Sequence, residues 1–204
     1  DFALSGTMTQ TKDTPDNNFC TMNPLDNFYQ AATFSNGDNT VTTGSGIYTP
    51  NTGTIGMTTG KWYWECKPTS GSSPESWLIG VQSTQATGAG AELGNYAGDW
   101  GYYGSGTIRN NNANTAYGDA YVLDNVIGVA LDVTNSKLYF SINGVWQNSG
   151  VPTSGATGTG AVSITMATND QAFGAWFPSF CYYDTGTGTI SVNFGNGYFG
   201  TTSS

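Results

Sequence analysis

The sequence contains no histidine and few charged side chains. Fourteen acidic and five basic residues amount to 9% of the 204 residues, far below the roughly 25% of an average soluble domain. Without histidine, catalytic Ser-His-Asp and Cys-His arrangements and histidine-ligated metal sites are excluded. Solubility must therefore come from threonine, serine, asparagine and glutamine.

Basic residues are too few to form a patch. The net charge is -9. Binding to a nucleic-acid backbone needs clustered cations, an anionic membrane surface would repel this chain, and no apolar run approaches the roughly 20 residues that span a bilayer. We therefore expect no nucleic-acid partner and no membrane insertion. The opening DFALSGTMTQ lacks an initiator methionine, which indicates processing or excision from a longer protein. The five cations are Lys12, Lys61, Lys67, Arg109 and Lys137.

Cysteine is scarce, and its number is odd. Cys20, Cys66 and Cys181 cannot all pair within one chain, and they give no disulfide framework. We expect three small buried thiols that pack like apolar side chains. A Cys20–Cys66 or a Cys66–Cys181 bridge stays open as an alternative.

Helical periodicity is nearly absent, and alternation with a period of two replaces it. The best helical candidate is the short Asn23–Ala32, with Pro24 in its first turn. In Lys137–Ile142, apolar Leu138, Phe140 and Ile142 alternate with other residues, as in a half-buried strand. The Asn143-Gly144 pair that follows is the strongest short hairpin signal, because both residues tolerate the positive φ of a type I′ turn.

Strands without intervening helices predict an all-β fold, a two-sheet antiparallel β-sandwich. We expect residues 1–58 to supply entry strands and loops packed on a core sandwich of residues 59–204, together forming one structural domain. Phe140 and Trp64 should point into the core, and Ser141 to the opposite face. The predicted strands are Thr33–Ser35, Thr40–Thr43, Gly46–Tyr48, Gly60–Pro68, Trp77–Ser83, Asp99–Tyr103, Gly106–Arg109, Val126–Asp132, Lys137–Ile142, Val162–Ala167, Trp176–Tyr183 and Thr189–Phe194.

Several motifs occur in an order that resembles the SPRY domain. They are GKWYWEC at Gly60–Cys66, IGV at Ile79–Val81, WGYYGSG at Trp100–Gly106, the stretch Tyr117–Gln147, and WFPSF with ISVNFG near the end. The resemblance covers roughly residues 59 to 196 and keeps the family's spacing. It implies a concanavalin-like jelly roll that binds through its loops and has no catalytic set or cofactor of its own.

A second resemblance suggests a setting. The block Asp13–Asn27, DTPDNNFCTMNPLDN, resembles the block that precedes SPRY-type modules in virion proteins of marine bacteriophages, which are also rich in Thr, Gly, Ser and Asn. It implies a virion structural or adhesion module on a tail fibre or capsid. The partner would be a host-surface glycan or protein, or a neighbouring virion subunit. Residence in a fibre would imply a homo-oligomer.

A glycan-active hydrolase on the same sandwich is the alternative, since a glycosidase needs only two carboxylates. Glu65 is the candidate acid, because it lies on the strand face opposite Trp62 and Trp64. We interpret it instead as part of the fold signature, and most aspartates as turn formers. Calcium could bind the oxygen-rich turns at Asp16–Asn18, Asn36–Asn39 and Asp124–Asn125, but Asx turns explain all three, so no metal is predicted.

Aromatic residues give the best indication of a binding surface. Six of them crowd a Gly- and Asn-rich region, where flat rings with polar tips suit stacking on a sugar or burial at a protein interface. The alternative is that the rings close the sandwich core. We predict that Trp100, Tyr102, Tyr103 and Tyr117 bind the ligand. The full group is Tyr96, Trp100, Tyr102, Tyr103, Tyr117 and Tyr121.

Overall fold

The computed structural model describes residues 14, 16, 18–26, 32–46, 48, 50–85, 91–195 and 199. These ranges contain fourteen β-strands and three 3-10 turns, at Pro74–Ser76, Gln147–Ser149 and Gly155–Thr157. The strands are β1 (Thr33–Ser35), β2 (Thr40–Thr42), β3 (Asn51–Thr52), β4 (Lys61–Ser70), β5 (Trp77–Thr84), β6 (Asp99–Tyr103), β7 (Thr107–Asn110), β8 (Ala113–Ala116), β9 (Ile127–Asp132), β10 (Lys137–Ile142), β11 (Val145–Trp146), β12 (Val162–Ser163), β13 (Ala172–Tyr182) and β14 (Thr189–Asn193).

These strands form two sheets, which confirms the predicted all-β sandwich. The first sheet has the order β1-β2-β14-β4-β9-β10-β11, with β12 also pairing to β10. The second sheet has the order β3-β13-β5-β6-β7-β8. The strand pairs are antiparallel in both sheets.

The core lies between the inner faces of the two sheets. In the first sheet Trp64, Val129 and Phe140 are aligned across β4, β9 and β10, and each is at least 98% buried. The Phe140 ring stacks on Tyr102 of the second sheet, with 5.1 Å between ring centroids. The predicted inward orientation of Trp64 and Phe140 is confirmed. Ser141 is on the opposite face as predicted, but it is also buried.

The β9–β10–β11 meander has the predicted hairpin. Asn143 and Gly144 have φ values of 49° and 82°, as a type I′ turn requires, and the turn matches the right-handed twist of the flanking strands. Val126–Asp132 was predicted as a strand, and β9 begins one residue later, at Ile127. The pattern of apolar residues therefore located this part of the sheet almost to the residue.

Three predictions of local structure differ from the fold. Gly46 lies in a bend and Tyr48 outside any strand, and the φ of 71° at Gly46 is incompatible with an extended strand. The strand predicted at Val162–Ala167 ends at Ser163, since β12 pairs with only two residues of β10. The predicted helix begins with a turn at Asn23–Asp26, and residues 27–31 lie outside the described part, as does Ile47.

The N-terminal residues contribute strands to both sheets. β2 pairs with β14 in the first sheet, and β3 pairs with β13 in the second. The cysteines at positions 20, 66 and 181 are buried thiols, so neither of the two alternative bridges is formed. In the ranges described above, no helix is long and apolar enough to cross a membrane.

Candidate binding surfaces

The four predicted ligand-binding residues do not share one surface. Trp100 and Tyr102 lie two residues apart on β6 and point toward the core, opposite Val81 and Ile79 of β5. Tyr103 is the next residue along the same strand, so its side chain points to the outer face of the second sheet. Because side chains alternate between the two faces of a strand, Tyr103 is separated from Trp100 and Tyr102, although the three were predicted to act together.

Tyr102 belongs to the core, which corrects its predicted role. It has no exposed surface, and its ring packs against Phe140, Tyr117 and Tyr121. Its hydroxyl donates a hydrogen bond to the carbonyl of Asp119. A side chain without exposed surface cannot stack on a ligand, so Tyr102 holds the β8–β9 connection against the second sheet.

Tyr117 and Trp100 are partly buried against the same core. The Tyr117 hydroxyl donates to the Gly160 carbonyl at 3.1 Å and accepts from the Phe140 amide at 3.4 Å. Burial raises the Tyr117 pKa to about 12. The Trp100 indole N–H is buried and has no hydrogen-bond partner among the described residues. A ligand-binding role for these two residues stays a prediction, and their contacts are those of structural side chains.

Tyr103 lies on a surface that was not predicted from the sequence. We call it the tyrosine surface and define it by Tyr48, Tyr103, Tyr183, Glu92 and Arg109. The Tyr48 and Tyr183 rings stack with 4.3 Å between centroids, and Tyr48 and Tyr103 pack against the small outer cluster of Leu78, Leu93 and Cys181. Tyr183 is 45% exposed. Aromatic surface is thus presented to solvent by residues from three separate segments of the chain.

A buried ion pair supports the tyrosine surface. The Arg109 guanidinium contacts the Glu92 carboxylate and also donates to the Asn95 and Asn112 side-chain oxygens, at 3.1 and 2.6 Å. Burial raises the Glu92 pKa, and the Arg109 charge opposes that shift. Burial and the nearby Glu92 charge together raise the Tyr48 pKa to about 12. With several donors fixed at once, Arg109 is held rigidly before any partner arrives.

A second candidate surface lies on the outer face of the first sheet. Tyr63 of β4 is opposite Ala130 of β9, which is opposite Tyr139 of β10. Tyr63 is 53% exposed, and its ring meets that of Trp146 edge-on with 6.3 Å between centroids. Together with Lys61, Asp132, Pro152 and Thr153 these residues line an open groove of about 270 Å³. We call this groove the aromatic trough.

Alternation could have shown which tyrosines of the two surfaces face outward, but not which of them lie together. In KWYWEC, placing Trp64 and Cys66 inside puts Tyr63 and Glu65 outside, and in FCYY, placing Phe180 and Tyr182 inside puts Tyr183 outside. The predicted ligand-binding residues lie instead in the Gly- and Asn-rich segment, where tyrosine density is highest. Exposed rings at regular strand positions were the better signal.

Comparison with known proteins decides the family. A model of the SPRY domain matches residues 61–179, which is more than half of the chain. This chain belongs to the SPRY family. No curated protein sequence matches it significantly.

Solved structures share the fold of this SPRY domain at low sequence identity. The SPRY domain of human HERC1 has a TM-score of 0.62 and 16% identity, over 87% of this chain and 99% of that one. A human SPRY domain has a TM-score of 0.58 and 12% identity, over 82% and 97%. Stonustoxin has a TM-score of 0.57 and 18% identity, over 85% of this chain and 27% of its own. SPRY domains are generally non-catalytic modules for protein interactions.

Glu65 and Asp132 are too far apart to form a glycosidase pair. Glu65 accepts hydrogen bonds from the Tyr63 hydroxyl at 2.8 Å and the Asn193 amide at 3.3 Å, and its partner across β9 is Gly128. The acid on the adjacent strand, Asp132, is opposite Lys61, four positions further along β4. Four strand positions span roughly 13 Å, beyond the roughly 5–9.5 Å that separates glycosidase carboxylates.

Two of the three oxygen-rich turns have structural explanations in this SPRY domain. Asn36 and Asp38 have positive φ values in the β1–β2 turn, which these residue types tolerate. Asp124 lies 3.2 Å from the Lys67 ammonium, and Asn125 accepts from the Val122 amide. Asn17 of the third cluster is outside the described part. Among the described residues, no group of three or more metal-ligating acids or cysteines is present.

Proposed function

We propose that this SPRY domain is a non-catalytic interaction module that binds a protein through the tyrosine surface. The observation that carries the proposal is the grouping of Tyr48, Tyr103 and Tyr183 around a buried Glu92–Arg109 pair. Tyrosine and arginine are the residue types enriched in the energetically dominant parts of protein interfaces. Only 9% of the residues are charged, which favours a partner recognised by ring contacts over one recognised by long-range attraction.

Pre-organisation supports this choice of surface. The Tyr48–Tyr183 stack and the hydrogen bonds of Arg109 fix these side chains in the unbound protein. Binding therefore loses little side-chain entropy, which commonly opposes association by about 0.5–1.5 kcal/mol for each mobile side chain that is immobilised. Tyr103 is the member of the sequence-predicted set that belongs to this surface.

The setting that we propose is the surface of a phage virion, on a tail fibre or capsid. It is supported by the sequence resemblance of Asp13–Asn27 and by the Thr-, Gly- and Asn-rich composition. The partner would then be a host-surface protein or a neighbouring virion subunit. An antibody against this domain should label intact particles in electron micrographs. Labelling confined to lysates, with none on particles, would contradict the virion setting.

Binding is tested by attachment of the purified domain to host cells and to virion subunits. We expect Tyr183→Ala and Tyr48→Ala to weaken attachment by about 1–2 kcal/mol each, while the melting temperature stays close to that of the native chain. Val122→Ala is the control, because Val122 is exposed and belongs to neither candidate surface. Attachment that neither tyrosine variant weakens would place the interface elsewhere.

The non-catalytic part of the proposal has its own test. The purified domain should release no sugar from host polysaccharide, with or without the Glu65→Gln substitution. Hydrolysis by the native chain that is abolished in the Glu65→Gln variant would establish the hydrolase alternative instead.

A further inference from the structure

The aromatic trough has two partly exposed rings beside a small residue. Ala130 of β9 supplies the floor, and the rings of Tyr63 and Trp146 lie beside it. Tyr139, opposite Ala130 on β10, is 1% exposed and supports the trough from below. A Cβ at Gly128 would lie 2.7 Å from the Tyr63 hydroxyl, so the ring leans over β9 only because this residue is glycine. The Tyr63 and Trp146 rings meet edge-on with 6.3 Å between centroids, so they form one continuous aromatic surface.

Side chains around the trough are held in place before any ligand binds. The Tyr63 hydroxyl donates to Glu65 at 2.8 Å, and the second Glu65 oxygen accepts from Asn193 at 3.3 Å. Burial and this hydrogen bond both raise the Tyr63 pKa, so the ring stays neutral at physiological pH. On the far side, Tyr139 and Ser154 share a hydrogen bond of 3.2 Å. The result is a fixed, uncharged aromatic platform.

The Lys61 ammonium at one end of the trough can donate hydrogen bonds to a ligand. It lies 3.6 Å from the Asp132 carboxylate, and the Lys61 side chain is 58% exposed, whereas that of Asp132 is 3% exposed. Although burial alone would raise the Asp132 pKa, hydrogen bonds from Asn135 and the Lys61 charge lower it, so this buried carboxylate offsets the Lys61 charge at neutral pH. Lys61 and Asp132 balance each other in charge, which gives this end no preference for a charged ligand.

The backbone of the strands under the trough is paired on both sides. β4 pairs with β14 and β9, and β9 pairs with β4 and β10. The edge strand at the trough, β11, has two residues, too short a template for an extended peptide. Recognition here must use ring faces and side-chain tips. A pyranose presents an apolar ring face and peripheral hydroxyls, which match a ring platform with polar groups at its end. The net charge of -9 disfavours anionic sugars.

We propose that the aromatic trough binds the uncharged pyranose units of a glycan. This inference goes beyond the proposed protein interaction, because it concerns another ligand on the opposite sheet. The trough and the tyrosine surface would let one domain contact a protein and a neutral polysaccharide at the same time.

The test is an array that carries neutral gluco-, galacto-, manno- and N-acetylglucosamine oligosaccharides beside uronic-acid and sialic-acid ones. The full chain should bind neutral members, and calorimetric titration with the best of them should give a dissociation constant. We expect Tyr63→Ala and Trp146→Ala to raise that constant at least about tenfold. Ala130→Leu should do the same by filling the floor while leaving both rings in place. Val122→Ala, an exposed residue outside the trough, is the control.

Each outcome of these binding measurements either supports or overturns glycan binding in the trough. Binding of neutral sugars that is weakened by Ala130→Leu and Tyr63→Ala supports it, provided that both variants melt near the native temperature. No binding to any neutral oligosaccharide at millimolar concentration overturns it. So does binding to acidic sugars alone, or neutral-sugar binding that none of the three variants changes. A protein subunit that loses affinity on Tyr63→Ala, without any glycan binding, would assign the trough to a protein partner and also overturn it.

Discussion

At the residue scale, Phe140 and Val145 illustrate two extremes on one hairpin. Phe140 is fully buried and stacks on Tyr102 of the other sheet, whereas Val145 is 67% exposed. We expect Phe140→Ala to lower the free energy of unfolding by about 3–5 kcal/mol, because the cavity cannot collapse between two sheets. Val145→Ala should change it by less than about 0.5 kcal/mol. Equal losses for the two variants in a denaturant titration would contradict this placement of the core.

Asp99 should make the stability of the folded protein depend on pH. It is 1% exposed; burial raises its pKa to about 7, although hydrogen bonds from the Ser83 and Thr84 amides lower it in part. Because the folded pKa lies above the unfolded one, the folded state binds a proton that the unfolded state has lost. The contribution of Asp99 to stability is therefore complete below about pH 4 and falls as the pH rises to about 7.

Asp99→Asn isolates this effect, since asparagine keeps the shape and is neutral at every pH. The native chain should lose melting temperature between about pH 5 and about pH 7, and the variant should lose clearly less. The chain has no histidine, so few other groups titrate in this window. Glu92, whose pKa is also raised, is present in both proteins and cancels in the difference. Parallel pH profiles would show that Asp99 is ionised in the fold.

At the scale of elements, tyrosines fix the long β8–β9 connection. The Tyr121 hydroxyl is buried and donates to the carbonyls of Trp77 and Tyr102, at 2.8 and 3.1 Å. Tyr121→Phe leaves both carbonyls without this donor, so we expect a cost of about 1–3 kcal/mol in thermal or chemical unfolding. Tyr183→Phe, at an exposed ring, should cost less than about 0.5 kcal/mol. If both substitutions changed the free energy of unfolding equally and negligibly, the Tyr121 hydroxyl would not be what holds the β8–β9 connection.

The buried tyrosines of this connection show why the strands could be predicted from the sequence and the ligand-binding residues could not. Strand positions follow from alternation, which a sequence displays directly: Lys137–Ile142 and Asp99–Tyr103 were predicted with the bounds that the fold has. A tyrosine in a Gly-rich connection can equally be an anchor or a contact residue, and only its three-dimensional neighbours decide. Tyr102 is such an anchor, because Phe140 of the other sheet covers its ring.

The tyrosine surface was unpredictable for a different reason. Tyr48, Tyr103 and Tyr183 are far apart in sequence, and they meet because β13 and β6 both pair with β5. Short strands escaped prediction as well: β3 has two residues, too few for any periodicity. Residues that meet only through the pairing of distant strands leave no pattern among neighbouring positions of the sequence.

At the scale of the whole molecule, both sheets depend on the N-terminal residues. β2 pairs with β14 along three residues, and β3 covers the edge of β13. The same region buries Met22, Val41 and Met57 in the common core. Losing three core side chains and the three strands β1, β2 and β3 at once should remove more free energy than the roughly 5–15 kcal/mol by which domains are usually stable.

We therefore expect the full chain to unfold in one cooperative transition, and a fragment of residues 59–204 to show none. Calorimetry and near-ultraviolet circular dichroism would measure both, because the tryptophans of the core report on tertiary packing. The exposed edges of β14 and β13 should also make the fragment self-associate, since an unpaired strand edge is a template for another chain. Two separate transitions in the full chain, or a fragment that melts at the native temperature, would show that residues 1–58 pack on a sandwich that is stable without them.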